Sequence, residues 1–248
     1  MISLLLTLAG PLWAHGFDAD HERFARVLAA TVTTHGVNYA ALKASPAALD
    51  AYLDELAALP AAEFAGWPRM ERLALLINLY NATTLRVIRD RYPIRSIRSI
   101  GLLPGAAWRE LDVRFGGQMM SLSHLENRVL RPEYGEPRIH FALVCAARGC
   151  PPLRTEPFRG NDLEDQLDDQ ARTFLAIPFK NRFDARDNTL WLSPIFKWYK
   201  TDFTAEGGSL ADYVRRYLPA DQAEALGRAS KVRVRHTDYD WTLNDAGH

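Results

Sequence analysis

The sequence predicts an α+β fold in which N-terminal helices pack on a mainly antiparallel sheet. Helical periodicity fills the stretch before Pro93, and beyond it the apolar period shortens to two in separated runs. Strands and helices do not alternate in the rhythm that builds a parallel sheet. The 248 residues are enough to bury a core without cross-links, and residues 18–244 read as one globular domain.

The first helix lies between Asp18 and Thr34, where Phe24, Val27, Leu28 and Val32 share a face and Gly36 supplies a stop. In "SPAALDAYLDELAAL", Ser45 is the expected N-cap, Pro46 takes the first helical position and Leu49, Leu53 and Leu56 line one side. A longer helix is expected from Arg69 to Arg91, ended by Pro93. Leu111, Val113 and Phe115 alternate with polar residues before Gly116-Gly117, which predicts a hairpin with a tight turn. "SHLENRVLR" predicts a short helix closed by Pro132, and the apolar run "RIHFALVCA" a central strand. Asn161 to Leu175 predicts an amphipathic helix with Leu163, Leu167, Ala171 and Phe174 inward. A second hairpin follows around Asp187-Asn188, then a helix in "GSLADYVRRYL" and an edge strand in "KVRVRHTDYDW".

Thirty basic residues balance thirty acidic ones, and they are scattered along the chain. That distribution argues against nucleic acid as a partner, because phosphate binding needs concentrated positive charge. The apolar stretch from Ile2 to Ala14 is too short to span a bilayer but suits the core of a signal peptide over residues 1–14. The expectation is therefore an exported protein, periplasmic or secreted, with no stable membrane span after the signal is removed. No cofactor or metal is expected.

Candidate chemistry concentrates in "RIHFALVCAARGCPPL", which holds His140 and the only two cysteines, Cys145 and Cys150. On a regular strand His140 and Cys145 would lie about 16 Å apart on opposite faces, so they would not pair. Arg148-Gly149 supplies a turn that brings Cys150 back toward the histidine, and Pro151-Pro152 stiffens the segment presenting it. A thiol beside an imidazole gives up its proton and becomes a nucleophile. Three competing readings stay open: a Cys145–Cys150 disulfide, a zinc site with unusual spacing, and two unpaired structural cysteines.

Two asparagines, Asn78 and Asn81, interrupt the apolar long helix on one stripe; buried amides must be hydrogen-bonded or line a wet cavity. Glu126 is a candidate acid, yet Ser123 three residues earlier fits a capping box in which the glutamate serves the helix end. The aromatic clusters "FKWYKTDF", which includes Trp198 and Tyr199, and "YDW" suit a core or a pocket wall.

Together "NLYNATTL", "MSLSHLEN", "IHFALVCAARGCPPL", "FKWYKTDF" and "YDWTLN" resemble the family known as domain of unknown function 547, over roughly Val37 to Asn244. The resemblance implies a widespread bacterial domain, often exported and with relatives in plants, but it names no reaction. Asn127 departs from the histidine expected of relatives there. The expected layout also resembles the papain and transglutaminase type of fold, although here asparagines stand where those enzymes start their helix with cysteine.

The sequence thus yields two readings. One is a cysteine-dependent hydrolase or acyl-transfer enzyme on an amide or peptide-like substrate: Cys150 is the nucleophile, His140 the base, Asn81 or Glu126 the orienting group, with Asn78, Cys145, Trp198 and Tyr199 around the substrate. The other is a non-catalytic module with a Cys145–Cys150 disulfide that binds a small molecule or peptide.

Overall fold

The computed structural model describes residues 17–101, 105–109 and 113–247. The expected signal segment and Leu111 lie outside them.

Helices α1 (Glu22–Thr31), α2 (Tyr39–Ala44), α3 (Ala47–Ala58) and α4 (Ala61–Ala65) precede the long α5 (Arg69–Arg91); α2 and α3 pack on α5, and α1 packs on α3. Between α1 and α2, β1 (Val32–Thr33) and β2 (Gly36–Val37) form a minimal antiparallel hairpin. Every residue of α5 from Leu73 to Leu85 is buried, the pattern of a core helix covered on all sides. Its bounds are those the sequence predicts. Pro46 rather than Ser45 occupies the cap position of α3, a shift of one residue.

After α6 (Ala106–Arg109), β3 (Val113–Phe115) and β4 (Gln118–Met120) pair antiparallel around Gly116 and Gly117. Both glycines have positive φ, 58° and 74°, as a type I′ turn requires. Next come α7 (Leu122–His124), a π-helical turn at Leu125–Leu130, and α8 (Arg131–Tyr134), which run on as one element. Pro132 does not close this element. It lies within the element, just past the π-helical turn, and Gly135 in the left-handed region ends it.

The expected central strand is absent. Ile139–Ala142 is a helical turn, α9, and an irregular segment follows it to Cys150. The apolar run is buried because α9 lies between two cores: Ile139 and Ala142 join the cluster around α5, while Phe141 joins a second cluster with Phe174, Phe196 and Phe203. A short buried apolar run satisfies a helix as well as a strand, so burial alone did not select the period.

The second core is framed by α10 (Leu163–Leu175), β5 (Arg182–Asp184), β6 (Thr189–Leu192), α11 (Ile195–Trp198), α12 (Lys200–Phe203), α13 (Leu210–Arg215), α14 (Ala220–Arg228) and β7 (Arg233–His236). Strand β5 pairs antiparallel with β6, placing Phe183 opposite Leu190. Strand β7 joins the other edge of β6 in parallel, with Leu190 opposite Val234. The α+β class stands, with small separate sheets in place of one sheet under the helices. Among the described residues no helix is long and apolar enough to cross a membrane.

Candidate functional site

A cavity of about 260 Å³ opens where α9, the π-helical turn, α11 and the C-terminal segment meet. His140, Glu126, Cys145, Cys150, Trp198 and Tyr199 all line it; Asn78 and Asn81 do not.

His140 is 4% exposed, and its Nε2 lies 2.8 Å from Asp202 Oδ2 on α12. Arg131 grips the same carboxylate at two points, Nε to Oδ2 at 2.7 Å and an η nitrogen to Oδ1 at 2.8 Å. The Arg131 guanidinium, with His140 second, holds the Asp202 carboxyl well below the usual carboxylate range. An ionised carboxylate only accepts, so His140 Nε2 is the donor. Nδ1, the remaining ring nitrogen, has no partner among the described residues. The imidazole stacks on Tyr199 at 3.8 Å between ring centroids and meets Phe203 edge-on at 5.4 Å, which fixes its plane.

Glu126 is buried and sits on the π-helical turn, a kind of bulge that often re-aims a side chain at a functional site. Tyr199 donates to its Oε1 at 2.6 Å and Tyr80 to its Oε2 at 3.3 Å. Burial, reinforced by the Glu126 charge, pushes both phenols far above their ordinary range, so they remain donors. The capping-box expectation fails because the helix begins two residues early. Ser121, and not Ser123, accepts the N-cap hydrogen bond, from His124 N–H. Glu126 is thereby free of the helix end.

The cysteines form a Cys145–Cys150 disulfide, so among the readings the sequence left open the pairing is the one present. No group of three or more His, Cys, Asp and Glu among the described residues is arranged to hold a metal. Placing Cys145 out of reach of His140 rested on strand geometry; with α9 helical, that argument no longer applies. Cys145 is partly exposed, whereas Cys150 is 4% exposed. The hydroxyl of Tyr239 lies 3.0 Å from Cys145 Sγ and 3.3 Å from Cys150 Sγ.

The loop between the cysteines turns through Ala146, whose φ is 57°, and is held to the C-terminal segment. Arg148 N–H donates to Thr242 O and Gly149 N–H to Asp240 O, each at 2.8 Å. Lys180 donates from Nζ to Cys150 O at 2.5 Å; burial brings its pKa down to about 8, against the opposing pull of Asp240.

Asn78 and Asn81 act as mimics of a peptide group. Asn78 donates to Phe158 O at 2.8 Å and accepts from Phe158 N–H at 2.9 Å. Asn81 donates to Ala142 O and accepts from Val144 N–H, both at 3.0 Å. Their amides tie α5 to the segments that present the site. Backbone partners meet both ends of each amide, and neither residue lines the cavity, where Asn78 was expected to meet substrate and Asn81 to orient the imidazole or donate to an oxyanion.

In the sequence Asp202, Tyr239 and Trp241 stand only as members of aromatic clusters, and no local pattern singles out Tyr80, Trp108, Arg131 or Lys180. The acid inside "WYKTDF", one turn past Tyr199, was the available signal for Asp202. His140 lies on a helical turn and not on the strand expected for it.

No match was found among curated proteins or among solved structures. The residues that match a known family run from 64 to 175, from the end of α4 through α10, and include Glu126, His140 and both cysteines. Over residues 64–175 the chain matches the model of the family described as "Protein of unknown function, DUF547", the family its motifs resemble.

Proposed function

We propose that the cavity is the binding site for a small molecule or a peptide side chain, with the Cys145–Cys150 disulfide as a covalent staple in its wall. The observation that carries this reading is a concave site walled by Trp and Tyr rings, into which a few polar groups converge, Glu126 and His140 foremost. With both sulfurs bonded to each other, neither is a nucleophile. The disulfide suits an oxidising compartment, and export through the apolar N-terminal segment belongs to the same proposal. The test counts thiols in native protein with a colorimetric disulfide reagent and screens peptides and small molecules by thermal shift. No free thiol, and ligands whose shift is lost in Trp198→Ala, are expected. Two reactive thiols, or ligands indifferent to Trp198→Ala, would sink the reading.

The His140–Asp202 pair favours a second reading, a cysteine hydrolase or acyl-transfer enzyme active once a dithiol reductant has opened the disulfide. Reduction gives two thiols here and a disulfide in the reductant. Cys145, the more accessible sulfur, then passes its proton to His140 Nδ1 and attacks an amide carbonyl. The new C–S bond replaces the C–N bond, and the amine leaves with the proton from His140. Water cleaves the thioester, releasing the acid and regenerating the thiol. On this reading Cys145 replaces Cys150 as nucleophile. Reduced protein should be alkylated by iodoacetamide at Cys145 below pH 7, and His140→Gln should slow this at least about tenfold. An ordinary thiol pH profile, unmoved by His140→Gln, would remove the reading.

A further inference from the structure

We infer that the cavity recognises an organic cation: a quaternary ammonium group, or the ammonium or guanidinium end of a side chain. The inference rests on the reading of the cavity as a ligand site and names the ligand's chemistry.

The charges come first. No Lys or Arg lines the cavity among the described residues. The ionisable cluster beneath it consists of Glu126, Asp202 and Arg131, with His140 between them. Arg131 is committed to Asp202 through two hydrogen bonds, and its charge is matched there. Glu126 is the acidic side chain on the wall, and among the described residues no Lys or Arg lines the cavity beside it.

The rings supply the second observation. Trp198, Tyr239 and Trp241 pack together with centroids 4.5 to 5.9 Å apart, and Trp108 meets Trp241 edge-on at 6.2 Å. All four line the cavity. A π face carries negative potential, and a wall of such rings that also includes Glu126 favours a desolvated cation over a neutral group of the same shape. Two rings of this wall already attract the protein's own cations: Arg98 lies over Trp241 and Arg131 over Tyr199, each at 5.2 Å, and neither arginine lines the cavity. Trp198 is 48% exposed, large and apolar at the rim, where an arriving ligand would cover it.

A hard metal ion is a poor fit. The wall offers one carboxylate already holding two phenol hydroxyls, whereas such an ion needs several oxygens. A cation that sheds water readily and offers apolar surface to the rings matches both features.

The test uses the oxidised protein, so its outcome does not depend on any thiol chemistry. Choline and its neutral carbon isostere, 3,3-dimethylbutan-1-ol, are titrated at low salt and followed by tryptophan fluorescence and calorimetry. N-acetyl-lysine methylamide and N-acetyl-arginine methylamide form the second arm, which separates a free quaternary ammonium from a peptide side chain as the source of the cation. At least one cation should bind about tenfold or more tighter than the isostere. Glu126→Gln, whose amide oxygen still accepts from a tyrosine, should weaken it about tenfold, and Trp198→Ala about three- to tenfold. Should Glu126→Gln fail to fold, the isostere comparison and the exposed Trp198→Ala decide the matter alone. Equal binding of the isostere, or cation binding unchanged in both variants, overturns the inference while leaving a ligand site. Failure of every probe and every screened ligand overturns both.

Discussion

His140 Nε2 and Asp202 Oδ2 meet at 2.8 Å across 62 residues of sequence, and Arg131 closes on the same carboxylate from the other side. Because these partners hold the Asp202 carboxyl below its usual range, the folded chain keeps it ionised where the unfolded chain takes up a proton near pH 3.9. Its contribution is therefore fully present above about pH 4 and is lost as pH falls below that. Asp202→Asn keeps the shape but gives up the charge-assisted bonds. It should cost about 2–4 kcal/mol at neutral pH, measured by urea unfolding, and should flatten the loss of stability below pH 4. An unchanged acid limb would mean the pair contributes nothing to folding.

Asn81 lies outside the cavity, yet it sets the exit of α9 through Ala142 O and Val144 N–H. Asn81→Ala leaves a buried donor and a buried acceptor unmet at about 1–3 kcal/mol each, so a loss of about 2–6 kcal/mol is expected. Asn81→Asp keeps the acceptor for Val144 but turns a buried carboxyl oxygen toward Ala142 O, and at neutral pH should cost at least as much as Asn81→Ala. If Asn81→Ala were as stable as wild type while abolishing ligand binding, a direct contact with ligand would be the better account.

These asparagines show where sequence was legible. Two amides on one stripe of an apolar helix announced a demand for partners, and α5 itself followed from an unbroken apolar pattern between Arg69 and Pro93. Which partners met the demand was not legible, because Phe158 and Ala142 lie 80 and 61 residues away. The same holds for His140. Its nearness to the cysteines in sequence drew attention to it, while Asp202, Tyr199 and Phe203 come to it only through tertiary packing. The one misassigned element, α9, is a short buried run whose composition serves either period. Its helical form placed His140 among the aromatic rings and removed the reason for setting Cys145 aside.

His21 is a buried histidine away from the cavity. Tyr52 Oη lies 2.8 Å from its Nδ1, and burial brings its pKa down to about 4, with Asp18 opposing and Arg159 assisting. The unfolded chain takes up a proton near pH 6.5 that the folded chain refuses until about pH 4. Stability should therefore fall as pH drops from 6.5 to 4, by at most about 3 kcal/mol. His21 has a φ of 53°, so the replacement of choice is Asn, which tolerates the left-handed region. His21→Asn should be less stable at pH 7 and should lose the slope between pH 6.5 and 4 seen in chemical denaturation. A slope retained in full would assign it to another group.

Gly149 controls the approach of Tyr239 to the disulfide. A Cβ there would stand 2.9 Å from two carbons of the Tyr239 ring and 3.0 Å from Asp240 N, so ring or backbone must move. The backbone is held by the Gly149 N–H to Asp240 O bond, and the ring by its packing on Trp198 and Trp241. Gly149→Ala should cost about 1–3 kcal/mol and carry the Tyr239 hydroxyl away from both sulfurs. Gly66→Ala is the control: its φ is −78° and the nearest atom to an added Cβ is 3.4 Å away. The comparison is read by thermal unfolding and by the rate at which a dithiol reduces the disulfide, which should rise in Gly149→Ala and stay at the wild-type value in Gly66→Ala. Equal rates in the two variants would show that Tyr239 does not shield the sulfurs.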